Sequence, residues 1–313
     1  MVGQTHFSHG RASHALLIEN PRSGQANNGL ERFVSCLQAA DVTVEHRRLD
    51  EAPIAHLLQD AHRFQAVVAA GGDGTVSAAA HALKRHQVPI LAYPAGTANL
   101  IAQNLQLPGD PEALAQVVLR GNTVKVDLAE LELGGRRMGF TMLAGAGADA
   151  SMIRDSEELK DRFGWMAYVL AALKQVGHPR VPFTLTLDGR TVELDAVAVM
   201  VANFGMANYR LPIASGISPT DGQLTVVAVT GEHKLGLLPD FMNSLRSRLN
   251  LGDPVFTGNV EVFQARQITV ATETSLPVQY DGETCEHCTP FSARVLPGAA
   301  QFLSDTTPDL LMT

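Results

Sequence analysis

The sequence predicts an α/β domain with a mainly parallel sheet, followed by a second, mostly antiparallel β domain. Three observations lead to this fold class. The first 130 residues alternate short β-like runs with longer helical ones, whereas later residues form β segments separated by turns. The chain has 313 residues, 45% of them hydrophobic, and this length suits one large domain or two ordinary ones.

In the first region, three β-like runs are each followed by an amphipathic helical run. The β-like runs are HALLIE, VTVEHRRL and AVVAAG, and the helical runs are LERFVSCLQAA, PIAHLLQDAHRF and VSAAAHALKRH. This alternation is typical of βα crossovers and of a parallel sheet covered on both faces. Ligands of such sheets bind at the carboxyl ends of the strands, and the turn GGDGT, residues 71–75, follows one of these ends.

The second region contains turn-separated strand candidates. FTLTLDGRTVELDAVAVMVAN predicts a hairpin at Asp188 and Gly189, and further candidates are QLTVVAVT, VEVFQARQITVATE, LPVQYDG and FSARVLP. Two helical segments, 156–176 and 233–250, interrupt the pattern. The first contains FGWMAYVLAAL, an uncharged run that suits either a core helix or the lining of an apolar cleft.

Composition excludes several classes of function. The net charge of -8 does not fit a nucleic-acid-binding surface, and it argues against polybasic docking on anionic lipid. No apolar run reaches the roughly 18 residues of a membrane span, and the first residues lack a signal-peptide layout. Three cysteines fit a reducing compartment. We therefore expect a cytoplasmic protein without a transmembrane segment.

The turn GGDGT combines features of a phosphate site with an unexpected carboxylate. Backbone N–H groups of a glycine-rich turn at a helix N-terminus can bind an anion, although glycines also serve tight βα turns for steric reasons alone. Asp73 would repel a phosphate unless a metal cation lay between them, so the turn indicates a metal–phosphate site. Val76 stands where a P-loop would need serine or threonine after lysine, which excludes that motif.

Two other strand-to-helix turns belong to the same predicted sheet edge. NPRSG begins with Asn20, and PAGTAN contains Thr97. Each could be a plain turn, but a shared nucleotide pocket explains all three. Late in the chain, YDGE places Asp281 after a strand; this is either a common Asp-Gly turn or, opposite a nucleotide site, a general base for a hydroxyl nucleophile.

Two remaining motifs are weak. The segment 145–150 formally matches a dinucleotide fingerprint but lacks a surrounding βαβ unit. Cys285 and Cys288 supply too few soft ligands for a typical zinc site, and unpaired thiols in a hairpin explain them better.

Taken in order, these residues resemble the diacylglycerol kinase catalytic family, in particular the bacterial lipid kinases related to sphingosine and ceramide kinases. The matching stretches span nearly the whole chain; they are NPRSG, GGDGT, PAGTAN, VDLAEL, LKDRFGWMAYVLAAL, DGQL and YDGE. The resemblance implies a phosphofructokinase-like ATP-binding domain at 1–128, to which 298–313 returns, and a β-sandwich lipid-substrate domain at 129–297.

The resemblance also implies roles for individual residues. The residues that would hold the ATP phosphates or line that pocket are Asn20, Gly71, Gly72, Asp73, Gly74, Thr75, Val76, Ser77 and Thr97. Asp281 matches the proton acceptor of the family and Glu283 its neighbouring acid. Asp221, with backbone oxygens near Ser218 and Gln223, would hold a magnesium ion in the second domain.

One position departs from the bacterial pattern. Gly-Thr-x-Asn-Asp is usual there, whereas this chain has Leu100 after Asn99. If the missing carboxylate helped to bind a cation or orient ATP, activity would be lower, and Asp73 and Asp127 are the nearby substitutes in sequence.

The expected function is therefore ATP- and Mg²⁺-dependent phosphorylation of a lipid hydroxyl, with diacylglycerol or a related lipid as acceptor. We expect the protein to bind its lipid substrate at the inner membrane surface. The sequence leaves open whether the protein forms a homodimer. Two alternatives remain: a kinase for a soluble nucleotide like NAD kinase, which shares GGDGT, and a module that binds lipid or nucleotide without catalysis, suggested by Leu100.

Overall fold

The computed structural model describes residues 3–4, 13–23, 27–84, 86–147, 180–204, 217–230, 260–281 and 283–306. The helical segments expected at 156–176 and 233–250 lie outside these residues. The chain divides into two compact units, Met1–Leu128 with Pro297–Thr313, and Ala129–Leu296. Among the described residues, no helix is long and apolar enough to cross a membrane.

The first unit contains the α/β elements. Its strands are β1 (Gly3–Gln4), β2 (Ser13–Glu19), β3 (Val42–Arg48), β4 (Ala66–Gly71), β5 (Ile90–Pro94) and the first part of β6 (Asn122–Leu133). Its helices are α1 (Asn27–Ala39), α2 (Ile54–Leu57), α3 (Asp73–Leu83), α4 (Leu100–Asn104) and α5 (Pro111–Arg120), with a 3₁₀ turn at Ala61–Arg63.

The second unit consists of strands in its described part. After the end of β6 they are β7 (Arg136–Phe140), β8 (Leu143–Gly147), β9 (Val181–Leu187), β10 (Arg190–Ala196), β11 (Ala198–Ala202), β12 (Leu224–Val229), β13 (Val260–Ala265), β14 (Gln267–Thr272), β15 (Pro277–Tyr280), β16 (Glu283–Cys288) and β17 (Phe291–Leu303). The last residues of β17 belong to the first unit.

The sheet of the first unit is parallel, in the order β17-β5-β4-β2-β3, where β17 contributes the pair of Phe302 with Ile90. All six residues of β4 are buried because helices cover both faces. On one face α1 and α5 contribute Phe33, Leu37 and Val118 to a common core, and on the other α3 packs against β4. The predicted α/β fold is confirmed.

Helix α5 shows how local sequence sets an element. Asp110 caps it by accepting a hydrogen bond from the Ala113 N–H, and Pro111 occupies the first turn, where no N–H partner is needed. Gly121 ends the helix in the left-handed conformation, with φ of 66°.

The second unit is a β-sandwich. One six-stranded antiparallel sheet has the order β13-β12-β11-β8-β15-β16; in the other layer β9, β10, β14 and the start of β17 pair antiparallel, and the end of β6 pairs with β7. Alternate residues of both layers form one core, among them Ala144, Val199, Val278, Leu185 and Ile268. Asp188 and Gly189, both with positive φ, form the predicted turn between β9 and β10.

Candidate functional site

The turn between β4 and α3 requires glycine for steric reasons. A Cβ on Gly71 would lie 2.5 Å from the Cβ of Thr75. Gly72 precedes the helix, and its carbonyl accepts hydrogen bonds from the N–H groups of Thr75 and Val76 at 3.0 and 3.2 Å. Gly74 is exposed, with nothing within 4 Å of an added Cβ. The first turn of α3 is therefore open to a ligand at Gly74, whereas Val76 and Ser77 are buried behind it.

The turn between β5 and α4 lies against the first one, backbone to backbone. A Cβ on Gly96 would lie 2.5 Å from the Cα of Gly72 and 3.1 Å from its N atom. The two turns can therefore approach this closely only because residue 96 has no side chain. Asn99, in the left-handed conformation with φ of 50°, closes the turn: its Oδ1 accepts from the Gly96 N–H at 2.8 Å and its Nδ2 donates to the Gly96 carbonyl at 2.7 Å. Thr97 is exposed in this turn.

Asn20 joins the third turn to the other two. Its side-chain Nδ2 donates to Thr75 Oγ1 at 3.0 Å, and its backbone N–H donates to the carbonyl of Ala70 in β4 at 2.8 Å. Its Oδ1 accepts from the Arg22 N–H at 3.1 Å, which fixes the NPRSG turn. Three turns from distant parts of the sequence thus meet at the carboxyl edge of the parallel sheet.

Asp73 connects two of these turns through its carboxylate. Oδ1 accepts a hydrogen bond from the Ile101 N–H, at the start of α4, at 2.8 Å. Desolvation raises the pKa of this carboxyl group, and its hydrogen bonds to the backbone N–H groups of Ile101 and Leu100 only partly oppose that effect. An ionised carboxylate here is costly for folding, a property typical of functional positions.

Leu100 stands where the bacterial pattern has aspartate. It is 1% exposed and forms the first residue of α4. Asp127, a substitute that the sequence suggested, is 3% exposed, and its Oδ1 accepts from the Gly298 N–H at 2.7 Å. This hydrogen bond ties β6 to β17 within the first unit.

In the second unit, Asp281 is held firmly at the end of β15. Its φ is 43°, and its two carboxylate oxygens accept hydrogen bonds from the backbone N–H groups of Thr141, Met142 and Leu143 at 2.8, 2.8 and 3.1 Å. The charge is stabilised and the group cannot rotate freely. Glu283 begins β16, and its side chain lies outside the described residues.

The expected magnesium loop forms a turn before β12. Ser218 is buried, and its hydroxyl is 3.1 Å from Thr220 Oγ1. Asp221 Oδ1 accepts from the Gln223 N–H at 2.9 Å, and burial raises the pKa of the Asp221 carboxyl group. One carboxylate among hydroxyl and carbonyl oxygens is a donor set that fits Mg²⁺.

The cysteine pair does not form a metal site in the described part of the chain. Cys285 packs against the sandwich core, whereas Cys288 is exposed. Three residues apart on a strand, the two side chains point to opposite faces. In the described ranges, no cluster of three histidine, cysteine, aspartate or glutamate residues could hold a metal ion.

Sequence reasoning missed two features of these sites. One is the side chain of Asn99, for which the signal was available because asparagine tolerates the left-handed conformation. The other is Gln279, a buried residue of β15 whose motif context suggested nothing beyond a strand.

Two family models match the chain. Residues 14–131 match the diacylglycerol kinase catalytic domain, and residues 143–304 match the YegS C-terminal NAD kinase beta sandwich-like domain.

Relatives extend this similarity over most of the chain. A diacylglycerol kinase of Mycobacterium tuberculosis (strain H37Rv) is 30% identical over 91% of this chain and 93% of its own length. A Synechocystis protein is 28% identical over 95% of this chain and 70% of its own. The crystal structure of a diacylglycerol kinase from Bacillus anthracis has a TM-score of 0.67 at 20% identity, covering 95% of this chain and 98% of that one. At that identity the likeness shows a shared fold.

Proposed function

The chain belongs to the family of bacterial lipid kinases whose members have a diacylglycerol kinase catalytic domain, and we propose that it transfers the γ-phosphate of ATP to the hydroxyl of a lipid. The first unit would bind ATP and the second the lipid, presented at a membrane surface.

The observation that carries the proposal is the meeting of three turns at one sheet edge. Gly72 and Gly96 present bare backbone to each other, Gly74 leaves the first turn of α3 open, and Asn20 bonds to Thr75. Exposed N–H groups at a helix N-terminus favour a phosphate. The residues Gly71–Thr75, with Asn20 and Thr97, would hold the triphosphate, and Val76 and Ser77 would support them.

Bound Mg²⁺-ATP supplies the phosphoryl group and a cation that offsets charge on it. Asp73 is the carboxylate of the three-turn site and would face that cation from the first turn of α3. Ser218, Asp221 and Gln223 would hold a second magnesium ion in the second unit.

Asp281 would accept the proton of the lipid hydroxyl as it attacks the γ-phosphorus. Three backbone N–H groups fix the orientation of this carboxylate. Glu283 would assist as the neighbouring acid.

A kinase for a soluble nucleotide is the second candidate, because the matched model of the second unit is described as NAD kinase beta sandwich-like. A kinase assay with magnesium-ATP that offers either diacylglycerol or NAD separates the two. We expect phosphorylated lipid, and about a hundredfold less of it with Asp281→Asn. Phosphorylation of NAD alone would favour the second candidate. Binding of magnesium-ATP without transfer to any acceptor would favour a non-catalytic module, the alternative that Leu100, which is buried, suggested.

A further inference from the structure

Gln279 lies two positions before Asp281 on β15. Its neighbours Val278 and Tyr280 pack against the sandwich core, so Gln279 lies on the opposite face of the sheet. Asp281 follows β15 in a turn with φ of 43°, so Gln279 is the last residue of this face of the strand before the proposed proton acceptor.

Gln279 carries a buried side-chain oxygen. The residue is 6% exposed, and its buried Oε1 has no hydrogen-bond partner among the described residues. Across the strand ladder it pairs with Gly145, which has no side chain, and Gly145 pairs with the apolar Met200.

Such an atom is unusual. Nearly all buried side-chain oxygens in folded proteins are hydrogen-bonded, because burying an amide without a partner costs free energy. An apolar residue of similar size would avoid this cost at position 279. An unpaired acceptor, placed two residues from the proposed proton acceptor, indicates a ligand that brings its own donor.

We propose that Gln279 Oε1 accepts a hydrogen bond from a second donor group on the lipid whose hydroxyl is phosphorylated. This inference rests on the proposed lipid kinase function and narrows its acceptor. The lipid carries a further hydroxyl or N–H besides the reacting hydroxyl. A monoacylglycerol or a sphingoid base meets this requirement, whereas in a diacylglycerol the other oxygens are esterified and only accept hydrogen bonds.

The test compares two lipid substrates that differ by one hydrogen-bond donor. Monodecanoylglycerol keeps a second hydroxyl, and didecanoylglycerol has it esterified; both are presented in mixed detergent micelles with magnesium-ATP. The wild type should prefer the monoacyl lipid. In Gln279→Leu, kcat/KM for the monoacyl lipid should fall about tenfold to a hundredfold, the loss expected for one buried hydrogen bond, mainly through KM. The value for the diacyl lipid should change little.

A stability measurement separates recognition from a structural role. Since Gln279→Leu removes an unpaired amide, the Tm of the unliganded full chain should stay equal or rise. Gln267→Leu, at an exposed glutamine of β14, is the matched control and should leave both lipid activities unchanged. A lower Tm with equal losses on both lipids would assign Gln279 a structural role and overturn the inference.

Failure of the inference and failure of the proposed function give different results. If the wild type phosphorylates both lipids and Gln279→Leu prefers the monoacyl lipid as strongly as Gln267→Leu does, the inference alone is wrong. If the wild type phosphorylates no lipid, or only NAD, the proposed function is wrong and the inference falls with it.

Discussion

Replacing Asp73 tests whether its charge serves the reaction or only the fold. Its Oδ1 accepts from the Ile101 N–H at 2.8 Å. Asp73→Ala removes this acceptor and leaves the Ile101 N–H, at the start of α4, without that hydrogen bond, which costs about 1–3 kcal/mol of stability. Asp73→Asn keeps an oxygen at this point and the volume of the side chain, but removes the charge.

The raised pKa of Asp73 fixes the sign of the stability change. Because the folded state raises the pKa above 3.8, the ionised carboxylate weakens folding at neutral pH, and this penalty disappears as the pH falls below 3.8. Asp73→Asn should therefore be as stable as the wild type or more stable at pH 7, and the difference should shrink on acidification. Urea unfolding at several pH values measures it.

The kinase activity of the Asp73 variants should fall, although Asp73→Asn should be no less stable than the wild type. If the charge faces the cation of Mg²⁺-ATP, both variants should lose about a hundredfold or more in turnover, since removing one positioned group at a transition state commonly costs ~3 kcal/mol. Asp73→Asn thus separates stability from activity. Wild-type turnover in Asp73→Asn would refute the reasoning and leave Asp73 only the role of holding α4.

Three further predictions concern the same sites. Asp281→Asn should reduce phosphate transfer about a hundredfold while urea unfolding stays cooperative; a variant with full turnover would exclude Asp281 as proton acceptor. Gly96→Ala should lose about 1–3 kcal/mol of stability, because its Cβ would lie 2.5 Å from the Cα of Gly72. Gly74→Ala should fold normally and raise the KM for ATP, because nothing lies within 4 Å of its Cβ. Equal stability of the two variants would contradict the close approach of the two turns. Leu100→Asp should destabilise the protein, because a charge would replace a side chain that is 1% exposed; a stable, more active variant would show that the position can serve ATP.

Local sequence patterns predicted those parts of the fold that depend on residues close together in the chain. The wholly buried run AVVAAG is a strand of a parallel sheet, and Asp188 with Gly189 is a hairpin turn because both adopt positive φ. These features depend on neighbours in sequence.

The details of the site could not be predicted because they depend on residues distant in sequence. The hydrogen bond of Asn20 joins it to Thr75, 55 residues away, and Asp73 reaches Ile101. The motif alone predicted that Asp73 faces a metal ion, and it gave no sign that the carboxylate also accepts a hydrogen bond from α4. Gln279 looked like any strand residue, since an unpaired buried oxygen becomes visible only when its surroundings are known.

The most direct test of the central claim incubates the purified chain with magnesium, γ-labelled ATP and a total lipid extract, followed by organic extraction. We expect the label to enter the organic phase in a phosphorylated lipid, and to stay in the aqueous phase with Asp281→Asn. Label that remains in the aqueous phase with the wild type as well would contradict the claim that this chain phosphorylates a lipid.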